Sequence, residues 1–292
     1  PVFQEIISAC LSLEKGQRIA FLGPEATFTH QAVKRHFGTS AVTIPCGSIP
    51  AVFEEVERGL ADFGVVPVEN STEGVVTHTL DTFLDSVLRI QGEITIDVDQ
   101  CLLAQPGVTE GAIERVYSHP QGLAQCRDWL TTNLSRATRI ECPSTADAAR
   151  RAQEDPCGAA IGAELAARTW RLEVLRRGLQ DVAVNVTRFL VIGARPQDPP
   201  VVDGEKYKTT LLLALPDQAG SLFRVLQPLH DAGVNMTKIE SRPTRRQLWD
   251  YVFFIDLDGH CLEPHVAATL EAMRQASRLF KVLGSYRKAD TV

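Results

Sequence analysis

An amide, a hydroxyl and a guanidinium stand at the head of an apolar run: Asn185-Val186-Thr187-Arg188-Phe189 leads into Leu190-Val191-Ile192-Gly193. A run this rich in β-branched residues and closed by a glycine predicts a strand buried on both faces. Polar groups there need partners: an unpaired one costs roughly 1–3 kcal/mol and an unpaired charge far more. Two arrangements meet that demand. Either the side chains pair within the protein, with Arg188 in a structural ion pair, or they line a cleft and offer hydrogen bonds and charge to a ligand.

Two further polar stretches follow predicted strands. Gly23-Pro24-Glu25-Ala26-Thr27-Phe28-Thr29 comes after the first, and Glu69-Asn70-Ser71-Thr72-Glu73-Gly74 after the third. Ser71 or Thr72 is placed to cap a helix over Val75 to Ser86, and free N–H groups at a helix start attract a carboxylate or phosphate. A plain capped turn is the other reading of Asn70-Ser71-Thr72. His119, ahead of Pro120 at a strand end, is either a capping or hinge residue or part of a site. Gln121 and Gln125 lie one helical turn apart and face either a cleft or solvent.

The elements that position these residues are legible in the periodicity. A short amphipathic helix over Val2 to Leu13 comes first. Strands follow at Arg18–Leu22, Val42–Ile44 and Phe63–Val68, with helices between them, the second capped by Ser48. This β-α-β-α-β order predicts a parallel sheet whose ligands sit beyond the carboxyl ends of its strands. Glu93 to Ala104 alternates as one long strand. A second α/β unit has strands at Arg115–Ser118, Thr138–Cys142 and Gly158–Gly162, and Ser144-Thr145 cap the helix between the last two. The result is two lobes, about 18–96 with 186–195 and about 97–185, joined by two crossing segments with a cleft between them. The proline-bearing stretch 196–206 is a linker. Beyond it, 207–286 reads β-α-β-β-α-β, a ferredoxin-like plait whose open sheet edge is suited to pairing across a dimer.

Composition narrows the function. The chain has 292 residues, 44% hydrophobic and 23% charged, with a formal net charge of -6. That balance suits a globular protein of two or more domains and argues against broad binding to nucleic acid or a membrane surface. An anionic ligand must therefore be attracted locally. Seven cysteines, odd in number and never in a Cys-x-x-Cys pair, fit reduced thiols in a cytoplasm better than a disulfide frame or zinc site. No basic-then-apolar signal segment opens the chain and no apolar run could span a bilayer. A cytoplasmic protein is expected.

Taken together, Gly23-Pro24-x-x-Thr27-Phe28-Thr29, Val66-Pro67-Val68-Glu69-Asn70-Ser71, Ser118-His119-Pro120-Gln121 and Asn185-Val186-Thr187-Arg188-Phe189 resemble the prephenate dehydratase family. Gly220-Ser221-Leu222-Phe223 and Glu240-Ser241-Arg242-Pro243 resemble its regulatory ACT domain. Several such matches in order are specific where one would be weak. The opening helix, residues 1–17, resembles the end of a chorismate mutase domain, which would make the chain part of a bifunctional protein.

The resemblance implies a two-lobed, periplasmic-binding-protein-like catalytic domain over 18–195 and an ACT domain over 207–286. It implies conversion of prephenate to phenylpyruvate without a metal or other cofactor, feedback inhibition by L-phenylalanine, and a homodimer or homotetramer. Thr187 becomes the catalytic residue, with Glu69 or His119 supplying its proton. Thr27, Phe28, Asn70, Ser71, Thr72, Gln121, Arg188 and Phe189 become substrate-binding, Arg188 as a carboxylate clamp. Gly220, Ser221, Leu222, Phe223, Asn235, Met236, Glu240, Ser241, Arg242 and Pro243 become the phenylalanine site. Ala26 stands where the family carries glycine, so its turn is expected to avoid positive φ. The closely related arogenate dehydratase and a non-catalytic two-lobed anion-binding protein are the alternatives.

Overall fold

The computed structural model describes residues 5, 16–194, 200–244 and 251–289. Apart from Glu5, the helix expected over Val2 to Leu13 lies outside the described residues, as does 195–199 at the front of the linker.

Three sheets organise the chain. The first has the order β2-β1-β3-β11-β5, from β1 (Arg18–Leu22), β2 (Val42–Cys46), β3 (Phe63–Asn70), β5 (Arg89–Asp97) and β11 (Val186–Gly193), with the two-residue β4 (Gly74–Val75) hung on β3. β1, β2 and β3 are parallel; β11 returns from the second lobe and runs antiparallel between β3 and β5. Alternation along β11 assigns its faces. Phe189 and Val191 pack with Ile19, Phe21 and Ile96 under helix α1 (Phe28–Phe37). Leu190 and Ile192 pack on the other side with α2 (Ile49–Glu57) and α3 (Thr77–Phe83).

The second sheet has the order β10-β6-β9-β7-β8. Its strands are β6 (Cys101–Ala104), β7 (Arg115–Ser118), β8 (Thr138–Glu141), β9 (Gly158–Gly162) and β10 (Glu173–Arg176). Helices α4 (Pro120–Gln125), α5 (Arg127–Asn133), α6 (Thr145–Glu154) and α7 (Glu164–Trp170) complete this lobe. The third sheet is the plait, ordered β13-β14-β12-β15: β12 (Tyr207–Ala214), β13 (Met236–Pro243), β14 (Tyr251–Asp258) and β15 (Leu279–Arg287), with α8 (Ser221–Ala232) and α9 (Pro264–Gln275).

Three local expectations differ. The stretch from Glu93 to Ala104 is two strands in two sheets. At the break, Val98 N donates to Asn185 O (2.7 Å) and Gln100 N to Gln180 Oε1 (3.0 Å), so the outgoing crossing is bonded to the returning one. The helix expected to start at Val75 starts at Thr77, because Gly74 and Val75 pair with Asn70 and Glu69. β10, a four-residue edge strand with an irregular register, was not anticipated.

The plait is packed on the first lobe. Leu212, Ala214, Val252, Phe254, Leu283 and Tyr286 share one core with Val66, Val68, Ile90, Leu190 and Ile192. The approach is close enough that a Cβ on Gly284 would lie 2.2 Å from the Ile90 carbonyl oxygen, so only glycine fits there.

Candidate active site

A cleft of about 280 Å³ lies between the first two sheets, at the carboxyl ends of parallel strands. Three helix starts meet there. Thr27 caps α1, its Oγ1 accepting from His30 N (3.4 Å). Ser144 caps α6 by accepting from Asp147 N (3.0 Å), and His119 caps α4, its Nδ1 accepting from Gln121 N (3.3 Å). Each start leaves backbone N–H groups and a partial positive charge towards the cleft. Among the described residues the lining contains no Lys or Arg, and His119 is its one titratable side chain. Attraction for an anion thus rests on helix ends and neutral donors such as Thr27, Ser144, Thr145 and Gln121.

Asn70 is the hub of this site. Buried at the end of β3, it donates through Nδ2 to Thr187 Oγ1 (2.8 Å) and Asn185 Oδ1 (2.8 Å). Its Oδ1 accepts from Thr72 N (3.0 Å), Thr72 Oγ1 (2.6 Å) and Glu73 N (3.1 Å). Thr187 Oγ1 therefore accepts from Asn70, which leaves its own O–H to be donated into the cleft. Asn185 Nδ2 and Gln100 Nε2 both donate to Gln125 Oε1 (3.1 Å each), carrying the network into the second lobe.

Thr27, Phe28, Asn70, His119, Gln121, Thr187 and Phe189 line the cleft together. Ser71 and Thr72 are not in the lining and cap no helix: Ser71 Oγ accepts from Val186 N (2.9 Å), and Thr72 closes the Asn70 turn. Arg188 and Glu69 are also elsewhere. One residue along a strand reverses the face, so Thr187 meets the cleft and Arg188 the plait. There Arg188 Nε donates to Glu93 Oε2 (2.7 Å), Nη1 to Asp256 Oδ2 (2.8 Å) and Nη2 to Tyr286 OH (3.0 Å). Burial alone would lower its pKa, but Tyr286, Asp256 and Glu93 more than offset that and hold it protonated. Glu69 Oε2 accepts from Lys238 Nζ at 2.7 Å. Arg188, expected as a carboxylate clamp, and Glu69, one of the two residues expected to supply the proton, thus sit in an ion cluster between the first lobe and the plait, the structural ion pairing that was the other arrangement open to Arg188.

Ala26 takes φ +65°, against expectation. The left-handed conformation costs a non-glycine residue about 1–2 kcal/mol. Its methyl is fully buried and its N–H donates to His30 Nδ1 (2.9 Å), which offsets that cost. Burial, then Lys34, lowers the His30 pKa, so the ring stays neutral and able to accept. Ser144, Thr145 and Gln100, which line the cleft, were missing from the expected site. A cap directly after a strand end, as at Thr27, was the signal available for Ser144.

In the plait, β13 runs parallel to β12, so the start of α8 and the end of β13 lie at one end of the domain. Gly220 takes φ +79° ahead of α8, Ser221 is buried against Arg224, and Leu222 and Phe223 are exposed. Asn235 Nδ2 donates to Asp258 (3.1 Å), and Met236 is half-buried. Ser241 and Pro243 face out, whereas Glu240 and Arg242 are on the half-buried side. Arg242 pairs with Asp81 of α3 (2.9 Å) and so joins the plait to the first lobe.

Comparison with known proteins gives a consistent picture. The family described as "Prephenate dehydratase" matches residues 19–197, and "ACT domain" matches 209–275. The bifunctional chorismate mutase/prephenate dehydratase of Aquifex aeolicus (strain VF5) is 49% identical over 288 residues, 99% of this chain and 78% of that protein. A crystal structure of prephenate dehydratase from Arthrobacter aurescens in complex with L-Phe is 39% identical, with a TM-score of 0.84 over 92% of this chain and 89% of that one. GqqA, described as a novel type of quorum quenching acylase, is 31% identical with a TM-score of 0.85 over 93% and 98% of the two chains. The extent and identity of these matches, on a two-lobed frame with an appended plait, establish that the chain belongs to the prephenate dehydratase family and carries an ACT domain.

Proposed function

We infer that the cleft converts prephenate to phenylpyruvate and that phenylalanine, bound by the plait, inhibits the reaction. In this conversion the bond from the ring to its carboxylate breaks and releases carbon dioxide. The electron pair moves into the ring, and the ring hydroxyl leaves as water after gaining a proton. The site must hold a dianion, leave the departing carboxylate poorly solvated and help hydroxide depart.

The observation that carries this reading is the bond from Asn70 Nδ2 to Thr187 Oγ1, which turns the threonine into a donor aimed at the leaving oxygen. A Thr hydroxyl is too weak an acid to give up its proton outright. It donates a hydrogen bond or relays a proton, and His119 is the cleft group able to resupply one. Because His119 Nδ1 accepts from Gln121 N, the neutral ring carries its proton on Nε2. The helix starts at Thr27 and Ser144 suit the two carboxylates, and Phe28 and Phe189 help exclude water.

An acylase, the activity named for GqqA, needs a hydroxyl paired with a base. Among the described residues no cleft hydroxyl bonds to His119, and Thr187 is paired with an amide, so the geometry favours dehydration. The Phe-bound relative supports an effector site in the plait, with Gly220–Phe223 and Ser241–Pro243 at its one end. A second copy pairing along the outer edge of β13 would give the dimer or tetramer expected. The test follows phenylpyruvate by its absorbance in alkali when prephenate is supplied, with and without phenylalanine, and phenylalanine by chromatography when arogenate is supplied. Turnover of prephenate that phenylalanine suppresses is the expected result. No product from either substrate would leave only the anion-binding alternative.

A further inference from the structure

The charge cluster behind the cleft is built like a mount. Arg188 Nη2 donates to Tyr286 OH, that hydroxyl bonds Thr210 Oγ1 (2.6 Å), and Thr210 donates to Asp256 Oδ1 (2.7 Å). Asp256 Oδ2 accepts from Arg188 Nη1 and closes the ring, whose three other members all belong to the plait. Glu93 is held by Arg188 and by Lys208 (2.9 Å), and Glu69 by Lys238. Cations Arg188, Lys208 and Lys238 thus balance Glu93, Asp256 and Glu69.

These anchors adjoin the reacting groups. Across β11 and β3, Thr187 is paired with Asn70 and Arg188 with Glu69. Both members of the Thr187–Asn70 hydrogen bond are therefore flanked by a residue tied to the plait. Resting on the dehydratase reading above, we propose that Asp256 and Tyr286 are positioning residues for Thr187, acting through Arg188. Adjacent Cα atoms are held about 3.8 Å apart, so a change in where Arg188 sits shifts Thr187 as well. A misplacement of about 1 Å at a reacting group lowers rate by about 10²-fold. A cluster that served stability alone would lower the melting temperature and leave turnover as it is.

The test compares Tyr286→Phe, which removes one oxygen and keeps the ring, and Asp256→Asn, which keeps the shape, with the full parent chain. Each is checked for folding by circular dichroism. Expected is a kcat for prephenate lowered about tenfold with KM within about twofold of the parent, a loss made only in the transition state. A second readout needs no activity: the side-chain amide NMR signals of Asn70, which report its bond to Thr187, should shift in both variants. If Asp256→Asn fails to fold, Tyr286→Phe decides. Unmoved Asn70 signals, or a folded Tyr286→Phe whose kcat stays within about twofold of an active parent, would overturn the proposal. A parent inactive on prephenate would remove the functional reading alone, and the Asn70 signals would still judge the positioning.

Discussion

Thr187 and Arg188 are neighbours with opposite surroundings, and the contrast predicts opposite outcomes of substitution. Thr187→Val keeps the shape and removes the hydroxyl, so kcat should fall by about 10²–10⁴, the range for a positioned proton donor. The loss of one hydrogen bond should cost only about 1 kcal/mol of stability. Thr187→Ser should recover much of the rate. Near-parental turnover by the valine variant would take Thr187 out of the mechanism. His30 gives a pH prediction. Its folded-state pKa lies below its ordinary value near 6.5, so the unfolded chain binds the extra proton first. The stability from neutral His30 is complete above that ordinary value and is lost as pH falls through and below it. His30→Gln, measured against the parent from about pH 7.5 to 5.5, should show a shallower fall in melting temperature. An identical slope would mean that His30 does not carry the linkage.

At the scale of elements, the contact between β15 and β5 is the tightest constraint. A methyl on Gly284 would meet the Ile90 carbonyl at 2.2 Å, and neither backbone can yield without parting the plait from the lobe. Gly284→Ala should lower stability by about 1–3 kcal/mol, the usual penalty of overpacking, and denaturant unfolding measures it. An unchanged midpoint would show that the two sheets slide easily. The Arg242–Asp81 pair is a second joint, between β13 and α3. Thr79, on the same helix, donates to the carbonyl of Pro67 (2.5 Å), which lines the cleft. Arg242→Ala should therefore weaken inhibition by phenylalanine while leaving its binding, read by calorimetry, within about threefold. Loss of binding itself would mean that Arg242 holds the effector directly.

For the whole molecule, a two-lobed enzyme whose effector domain is packed on one lobe can be regulated through the closure of its cleft. Coupling of this kind is typically about 1–3 kcal/mol and reciprocal, so saturating prephenate should weaken phenylalanine binding by the factor that phenylalanine weakens prephenate binding. Paired calorimetric titrations of the slow Thr187→Val variant test the equality, and binding of each ligand indifferent to the other would refute the coupling. Among the described residues no helix is long and apolar enough to cross a membrane.

Much of this protein was legible as a string of residues. The strand at Arg18–Leu22, the helix capped by Ser48 and the β-α-β-β-α-β order of the plait follow from periodicity and capping, whereas the grouping of Gly23–Thr29 with His119 and Thr187 came from the resemblance of their motifs to a known family. Those signals are local, acting over one or two turns of helix or a few residues of strand. The alternation of β11 also implies that Thr187 and Arg188 point to opposite faces, but not what covers each face. Tertiary structure alone decided that: Arg188 meets Asp256 from 68 residues away, and Glu69 meets Lys238 from 169. A buried charge is satisfied by whichever opposite charge the fold brings within reach, and no local pattern carries that information.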